Sequence, residues 1–413
     1  MMLLYEAGIK FYGGLIFLAS TFYSKANLWI QGRKNWRNIL SKKYPQQKKV
    51  IWFHCASVGE FEQGRPLIEK IKINHPDYFI LLTFFSPSVF ELRKNYPFAD
   101  FICYLPLDTK KNAKDFISLV NPELVIFVKY EIWLNFLFEL KERNIPTILI
   151  SAYFNEKSNF FKGFLKYLYS EAFQSFIIIF TQDKATEDLF KSENIKNQCI
   201  VAGDTRFDRV LEQAQKSFSH PVLELMTVDS DVIVCGSTWP SDRIALSPLI
   251  QQEFPEKKWI IVPHELHETD LKAWEQLLPG KTCRLSGWKP SDPIPTILLY
   301  DKMGDLALLY RYGKINFVGG GFYDGIHNLL EAIVYGAPVV FGPKYQRFKE
   351  AFDLINLNIG FSVKNPEELK IKSISLLNSD LYPYKSAILK YFETYSGATD
   401  KIYTCLLNEK LIL

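Results

Sequence analysis

From Val50 onward, short apolar runs alternate with longer stretches of helical periodicity. The runs 50–55, 78–84, 101–105, 124–129, 147–152, 177–181 and 199–202 are mostly apolar, without strict polar alternation. That reads as strands buried on both faces, the habit of parallel sheets. Helical stretches such as 87–95, 109–120, 131–144 and 183–193 separate them, so the repeating unit is strand–helix and the sheet is parallel. Residues 205–230 hold no clear strand and include His220-Pro221, which places a boundary there. A second series follows at 231–235, 258–262, 296–300, 315–318 and 338–341, and the tail from about Pro383 to Leu413 reads as helix. A chain of 413 residues is too long for one core, and two domains are the natural solution. The predicted fold is α/β, with two Rossmann-like doubly wound parallel-sheet domains facing across a cleft. The predicted parts are 1–49 (helix and basic flank), 50–210 (first domain), 211–230 (linker), 231–382 (second domain) and 383–413 (C-terminal helix).

The first 49 residues break this pattern. Phe11 to Ser24 carries no charge, and Leu4, Phe11, Leu15, Leu18 and Phe22 recur at helical spacing. The stretch is shorter than the roughly 20 residues a spanning helix needs, and Lys10, Lys25 and Trp29 bracket it, as in an interfacial or marginally spanning anchor. An N-terminal helix packed on the domain is the competing reading. Charge favours the anchor: residues 1–49 hold nine Lys/Arg against Glu6 alone, +8 of a net +4, which leaves the remainder at −4. A basic arm on a mildly acidic body suits an anionic lipid surface. The body lacks the basic stripe that nucleic acid would call for. The six cysteines are scattered, with no C-x-x-C pair, which speaks for free thiols in a reducing compartment and against a disulfide framework or zinc site.

The strand Val50 to Cys55 leads into Ser57-Val58-Gly59-Glu60. In an open α/β sheet, ligands bind at the C-terminal ends of the strands. Gly59 allows close approach, and Glu60 is a candidate general base. Ser57-x-x-Glu60 is also the spacing of a capping box. Pro66 tips the reading: a helix capped at Ser57 would carry it in its interior, at about 3 kcal/mol. A helix starting near Pro66 leaves Glu60 on a loop.

The second series carries anion-site signals. Ser237-Thr238 follow a strand and offer hydroxyls, with simple turn chemistry as the even alternative. Met303-Gly304 precede a helix ending near Tyr310, and helix N-termini favour anions. Gly319-Gly320-Gly321 lets backbone approach a ligand but is not G-x-G-x-x-G, so a dinucleotide is disfavoured. His327-Asn328 lead into helix 329–335, where Asn328 can cap and Glu331 can accept from ribose hydroxyls. His264 follows strand 258–262. The pair His264-x-x-His267 has no third ligand, and Asp229-Ser230-Asp231 lies before its strand, at the wrong end of the sheet. No metal is expected, and no other cofactor.

In order and spacing these pieces resemble the Kdo (3-deoxy-D-manno-octulosonic acid) transferases of glycosyltransferase family 30. The resemblance runs nearly end to end. It is carried by Gln31-Gly-Arg-Lys34, His54-Cys-Ala-Ser-Val-Gly-Glu60, Glu131-Ile-Trp133-Leu-Asn135, Gly203-Asp-Thr-Arg-Phe-Asp208, Ser237-Thr238, Val262-Pro263, Met303-Gly304-Asp-Leu306, Phe317-Val-Gly-Gly-Gly321, His327-Asn328-x-x-Glu331 and Gly342-Pro343. It implies a GT-B fold and transfer of Kdo from CMP-Kdo to a lipid A precursor of lipid IVA type in lipopolysaccharide biosynthesis. CMP would be released at the cytoplasmic face of the inner membrane. By the same resemblance Glu60 is the base. Ser237, Thr238, His264, Met303, Gly304, Gly320, His327, Asn328 and Glu331 lie on the CMP side. Ser57, Gly59, Lys129, Glu131 and Arg206 serve the acceptor or transition state. The chain departs from the family pattern at Lys129, where a Glu is usual, at His264, where an Arg is usual, and at Ile326, where a Gly is usual. Lys129 then either meets an anionic group of a substrate or pairs with a neighbouring carboxylate.

Overall fold

A computed structural model describes residues 1–44, 49–228, 230–277 and 280–413. The chain divides into two compact units, Met1–Arg209 with Tyr395–Leu413, and Val210–Thr394.

The first unit holds β1 (Val50–Cys55), β2 (Phe79–Phe84), β3 (Phe101–Tyr104), β4 (Leu124–Val128), β5 (Thr147–Ala152), β6 (Ile178–Thr181) and β7 (Gln198–Val201). They form a sheet in the order β3-β2-β1-β4-β5-β6-β7, parallel throughout. The apolar runs are explained by burial on both faces. Trp52, Leu81, Phe127 and Leu149 enter one core, and their neighbours Ile51, Phe53, Ile80 and Ile126 enter the other.

The second unit holds β8 (Val232–Thr238), β9 (Lys258–Pro263), β10 (Thr282–Arg284), β11 (Ile297–Leu299), β12 (Ile315–Val318), β13 (Val339–Phe341) and β14 (Gly360–Ser362). Its parallel order is β10-β11-β9-β8-β12-β13-β14. Strands β10 and β14 have no counterpart in the sequence reading. Both are three-residue edge strands, partly exposed, and owe their form to one neighbouring ladder rather than to an apolar run. The strand order switches sides between β1 and β4 in the first sheet and between β8 and β12 in the second, where edge strand β10 also lies outside β11. A doubly wound sheet opens a ligand crevice at such a point.

The stretch expected as linker includes the end of helix Arg206–Ala214 and a further helix, Pro221–Thr227, which buries Val222, Leu223 and Met226. Asp229 lies outside the described residues. The tail is two helices rather than one, Tyr382–Tyr395 and Ala398–Asn408. Gly397 breaks it at φ +91°, and the Asp208 carboxylate accepts from Gly397 N (2.5 Å) and Thr399 N (2.6 Å). The last helix packs Ile402 and Leu406 into the first unit's core.

At the N-terminus lie α1 (Met2–Ala19), α2 (Ser24–Arg33) and α3 (Trp36–Lys43). By length and composition α1 suffices to cross a membrane, and none of its residues is buried. One side docks: the Tyr5 hydroxyl donates to Asp108 at 2.6 Å, and Tyr12 stacks on Phe85. The other side is bare, with Leu4, Phe11 and Leu18 exposed by 63, 69 and 65%, and Phe22 just past the helix end is exposed by 85%. The docked contacts and the exposed apolar side chains thus lie on different faces of one helix.

Candidate active site

β1 runs directly into α4 (Val58–Asn74), capped by Ser57. The loop expected before Pro66 does not form; Pro66 lies inside the helix and is buried. Close packing offsets the lost hydrogen bond: Gly64 brings α4 so near the sheet that a Cβ there would stand 3.2 Å from Val128 and 3.3 Å from Cys55. Ser57 Oγ accepts from Glu60 N at 3.4 Å, while Glu60 Oε2 accepts from Ser57 N at 2.8 Å and Ala56 N at 2.7 Å. The capping box is real. It uses one oxygen of the carboxylate, and a carboxylate has two, so capping and proton acceptance are compatible roles. Beside it Ser57 and Gly59 are exposed, and a Cβ on Gly59 would meet nothing within 4 Å.

Glu131 follows β4, the strand across the switch point from β1. The helix expected from 131 begins at Leu134. Asp108 sets that start, its carboxylate accepting from Asn135 N (3.2 Å) and Phe136 N (3.1 Å). Glu131 to Trp133 are therefore left as a non-helical approach. Glu131 Oε2 accepts from Trp133 Nε1 at 2.5 Å and lies 2.9 Å from His54 Nε2. Burial pulls His54 down to about 3, so the imidazole is neutral and this contact is a hydrogen bond, not an ion pair. Burial also pushes Glu131 up to about 7. Glu60 is likewise raised to about 7, by burial and then by the charge of Glu131, against the two capping N–H donors. Two buried carboxyls, each in the field of the other, thus titrate near neutrality.

Lys129 follows β4 in the left-handed region, φ +66°, with its ammonium over the Tyr130 ring. Arg206 pairs with Asp204 at 2.7 Å. Burial alone would raise Asp204, but Arg206 and Lys129 outweigh it and hold the carboxyl below its ordinary range.

In the second unit Ser237 and Thr238 close β8, with Ser237 at φ +51°. The next helix, Pro240–Pro248, is organised by Asp242. Its Oδ2 accepts from Trp239 N at 2.8 Å and from Gly320 N at 2.7 Å, tying the loop after β8 to the glycine loop after β12. Thr238 Oγ1 and Ser241 Oγ are buried without a hydrogen-bond partner. Trp239 stacks on His264 (centroids 4.3 Å) and Tyr323 (4.9 Å), and His264 stacks on His327 (4.5 Å). Burial lowers both imidazoles, His327 to about 4. Gly320 must be glycine: φ is +88°, and a Cβ would lie 2.3 Å from Gly325 O. Asn328 accepts from Leu330 N and donates to Glu331 Oε1 at 2.9 Å. Met303 is 68% exposed beside Gly304 at φ +103°. The helices after Gly304 and Asn328 are shorter than expected, Leu306–Leu309 and Leu329–Ile333. Their dipoles are correspondingly small.

Sequence reasoning gave no role to His54, Trp133, Trp239 or Asp242. His54 and Trp133 stood within the motifs of the resemblance, whereas Trp239 and Asp242 carried no signal of their own. Among the described residues no three His, Cys, Asp or Glu converge in metal-binding geometry.

A family model described as 3-deoxy-D-manno-octulosonic-acid transferase (kdotransferase) matches residues 34–209. The 3-deoxy-D-manno-octulosonic acid transferase of Aquifex aeolicus is 31% identical over 354 residues, 82% of this chain and 91% of the relative. The chain belongs to the Kdo transferase family. The Haemophilus influenzae transferase is 27% identical, covering 74% of this chain and 73% of its own. The fold is GT-B. UDP-GlcNAc 2-epimerase from Neisseria meningitidis has TM-score 0.58 at 17% identity, covering 87% of this chain and all of its own. MurG from Acinetobacter baumannii has TM-score 0.56 at 12% identity, covering 87% and 99%. As a Kdo transferase the chain is a glycosyltransferase of lipopolysaccharide biosynthesis.

Proposed function

We propose that this Kdo transferase moves Kdo from CMP-Kdo to a lipid A precursor of lipid IVA type, with Glu60 as general base. The acceptor hydroxyl attacks the anomeric carbon of Kdo, and the bond from that carbon to the phosphate oxygen of CMP breaks. The hydroxyl proton passes to Glu60, and CMP leaves with the bonding pair. The supporting observation is the Glu60–Glu131 pair, buried at the first sheet's switch point and titrating near 7, where a general base is most effective at neutral pH. Trp133 and His54 hold Glu131 beside it. Ser57, Gly59, Lys129 and Arg206 serve the acceptor or the developing charge. The donor reading assigns CMP to the second unit. There the free hydroxyls of Thr238 and Ser241 lie at a helix N-terminus, where an anion is favoured. Ser237, Gly320, Met303, Gly304, His264, His327, Asn328 and Glu331 complete that side. The bare face of α1 and the +8 N-terminal segment support attachment to the anionic cytoplasmic face of the inner membrane. The test is mass spectrometry of the lipid A precursor after incubation with the protein and CMP-Kdo. Addition of Kdo supports the reading; addition only from a UDP-sugar overturns it.

A further inference from the structure

Beside α1 lies a groove of about 720 Å³, lined by Gly13, Gly14, Phe17, Trp29, Arg33 and Trp36 among others. Its lining includes the cations Lys10, Arg33 and Arg37 and no carboxylate. Arg33 is the unusual member. Its guanidinium donates to the carbonyls of Trp29, Phe85 and Leu105 and lies over the rings of Trp29, Phe85 and Tyr104. Among the described residues no acid pairs with it. Arg33 is part-buried, and taking a cation even partly out of water without a counter-charge is costly. Next to it Trp29 is 7% exposed, and its Nε1–H has no hydrogen-bond partner. A part-buried cation without a counter-charge and an orphaned donor, beside the apolar wall of Gly13, Gly14, Phe17, Ile30, Trp36 and Leu107, call for an acceptor-bearing apolar ligand. The groove is also continuous with the bare face of α1 through Phe17. Two rings separate it from the carboxylate pair: Phe85, under Arg33, packs on Trp133 at 4.8 Å, and Trp133 donates to Glu131.

We infer that this groove is an acyl-chain subsite for the lipid acceptor. The chain lies along Gly13-Gly14, Phe17 and Trp36, and an ester or phosphate oxygen is taken by Trp29 Nε1 and Arg33. The inference rests on the acceptor being a phosphorylated, acylated glycolipid, as proposed above.

Two glycines of α1 give a matched test. A Cβ at Gly14 or at Gly8 meets nothing within 4 Å, but only Gly14 lines the groove. Gly14→Phe plugs it, and Gly8→Phe adds the same apolar surface elsewhere on the helix. Binding of detergent-dispersed lipid IVA, and of its fully deacylated phosphorylated disaccharide, is measured without donor for the full-length protein and both variants. Gly14→Phe is expected to weaken lipid IVA binding by about tenfold or more, equivalent to displacing roughly two methylenes. Gly8→Phe should leave it unchanged, and the deacylated sugar should bind all three proteins alike. Equal binding of lipid IVA by the two variants overturns the subsite, as does no binding by the parent protein. Equal weakening for the deacylated sugar also overturns it, because the effect would not then depend on a chain. If the variants separate as expected while Kdo transfer is absent, the functional proposal fails and the groove stands.

Discussion

Replacing Glu60 by glutamine separates its two roles. The amide oxygen of Glu60→Gln can still accept from Ala56 N and Ser57 N, and the capping box tolerates Gln at this position. The fold is therefore retained while the proton acceptor is lost. Rate should fall by roughly 10²–10⁴, the usual worth of general-base catalysis. Stability should move the other way at high pH. In the folded protein the Glu60 carboxyl titrates at about 7 instead of its ordinary 4.5, so the folded state holds its proton more tightly than the unfolded chain. The stability this confers is complete below about 4.5 and is lost as pH rises through 7. The shift corresponds to roughly 3 kcal/mol, with burial first and the Glu131 charge second as its causes. Glutamine has no such loss. Thermal unfolding should find variant and parent alike near pH 4.5. At pH 9 the variant should be the more stable, by about 6–12 °C at 2–4 °C per kcal/mol for a domain of this size. The parent's kcat should also fall as pH drops below about 7, where the pair takes up its proton. Near-normal turnover by the folded variant would refute the base assignment. A Tm difference independent of pH would refute the buried, coupled carboxyl pair.

Asp242→Ala leaves Trp239 N and Gly320 N without their acceptor, at about 1–3 kcal/mol per buried group; calorimetry should show weaker CMP binding by at least about tenfold. Serine at Phe11, Leu18 and Phe22 together removes three exposed apolar side chains, each worth about 1.5–3 kcal/mol when fully buried. Sedimentation with anionic vesicles should show most of the protein released, with turnover on a detergent-dispersed acceptor little changed. EDTA should leave turnover unaffected, because among the described residues no three metal-ligating side chains converge; restoration by Mg²⁺ after loss would return Asp229 and Asp231 to consideration.

The central strands were legible because each is a run of residues buried on both faces, and such runs can be read one residue at a time. So were the two-unit architecture and the bare stripe of α1, which depend on local periodicity. The edge strands β10 and β14 were not, since a three-residue strand is defined by the ladder beside it. The start of α4 turned on a balance that sequence cannot weigh: Pro66 argues against a helix, and the tight fit of Gly64 on Val128 and Cys55 prevails. The candidate base was visible as a carboxylate after a strand. Its environment was not. Glu60 and Glu131 are separated by 70 residues and meet only because β1 and β4 are neighbours in the sheet. His54 lies on the same strand face as Trp52 and reaches Glu131 only once that pairing exists. Hydrophobic pattern determines which segments are strands and helices. Burial and the approach of like charges are properties of the packed sheet, and they decide the protonation of the pair on which the proposed chemistry depends.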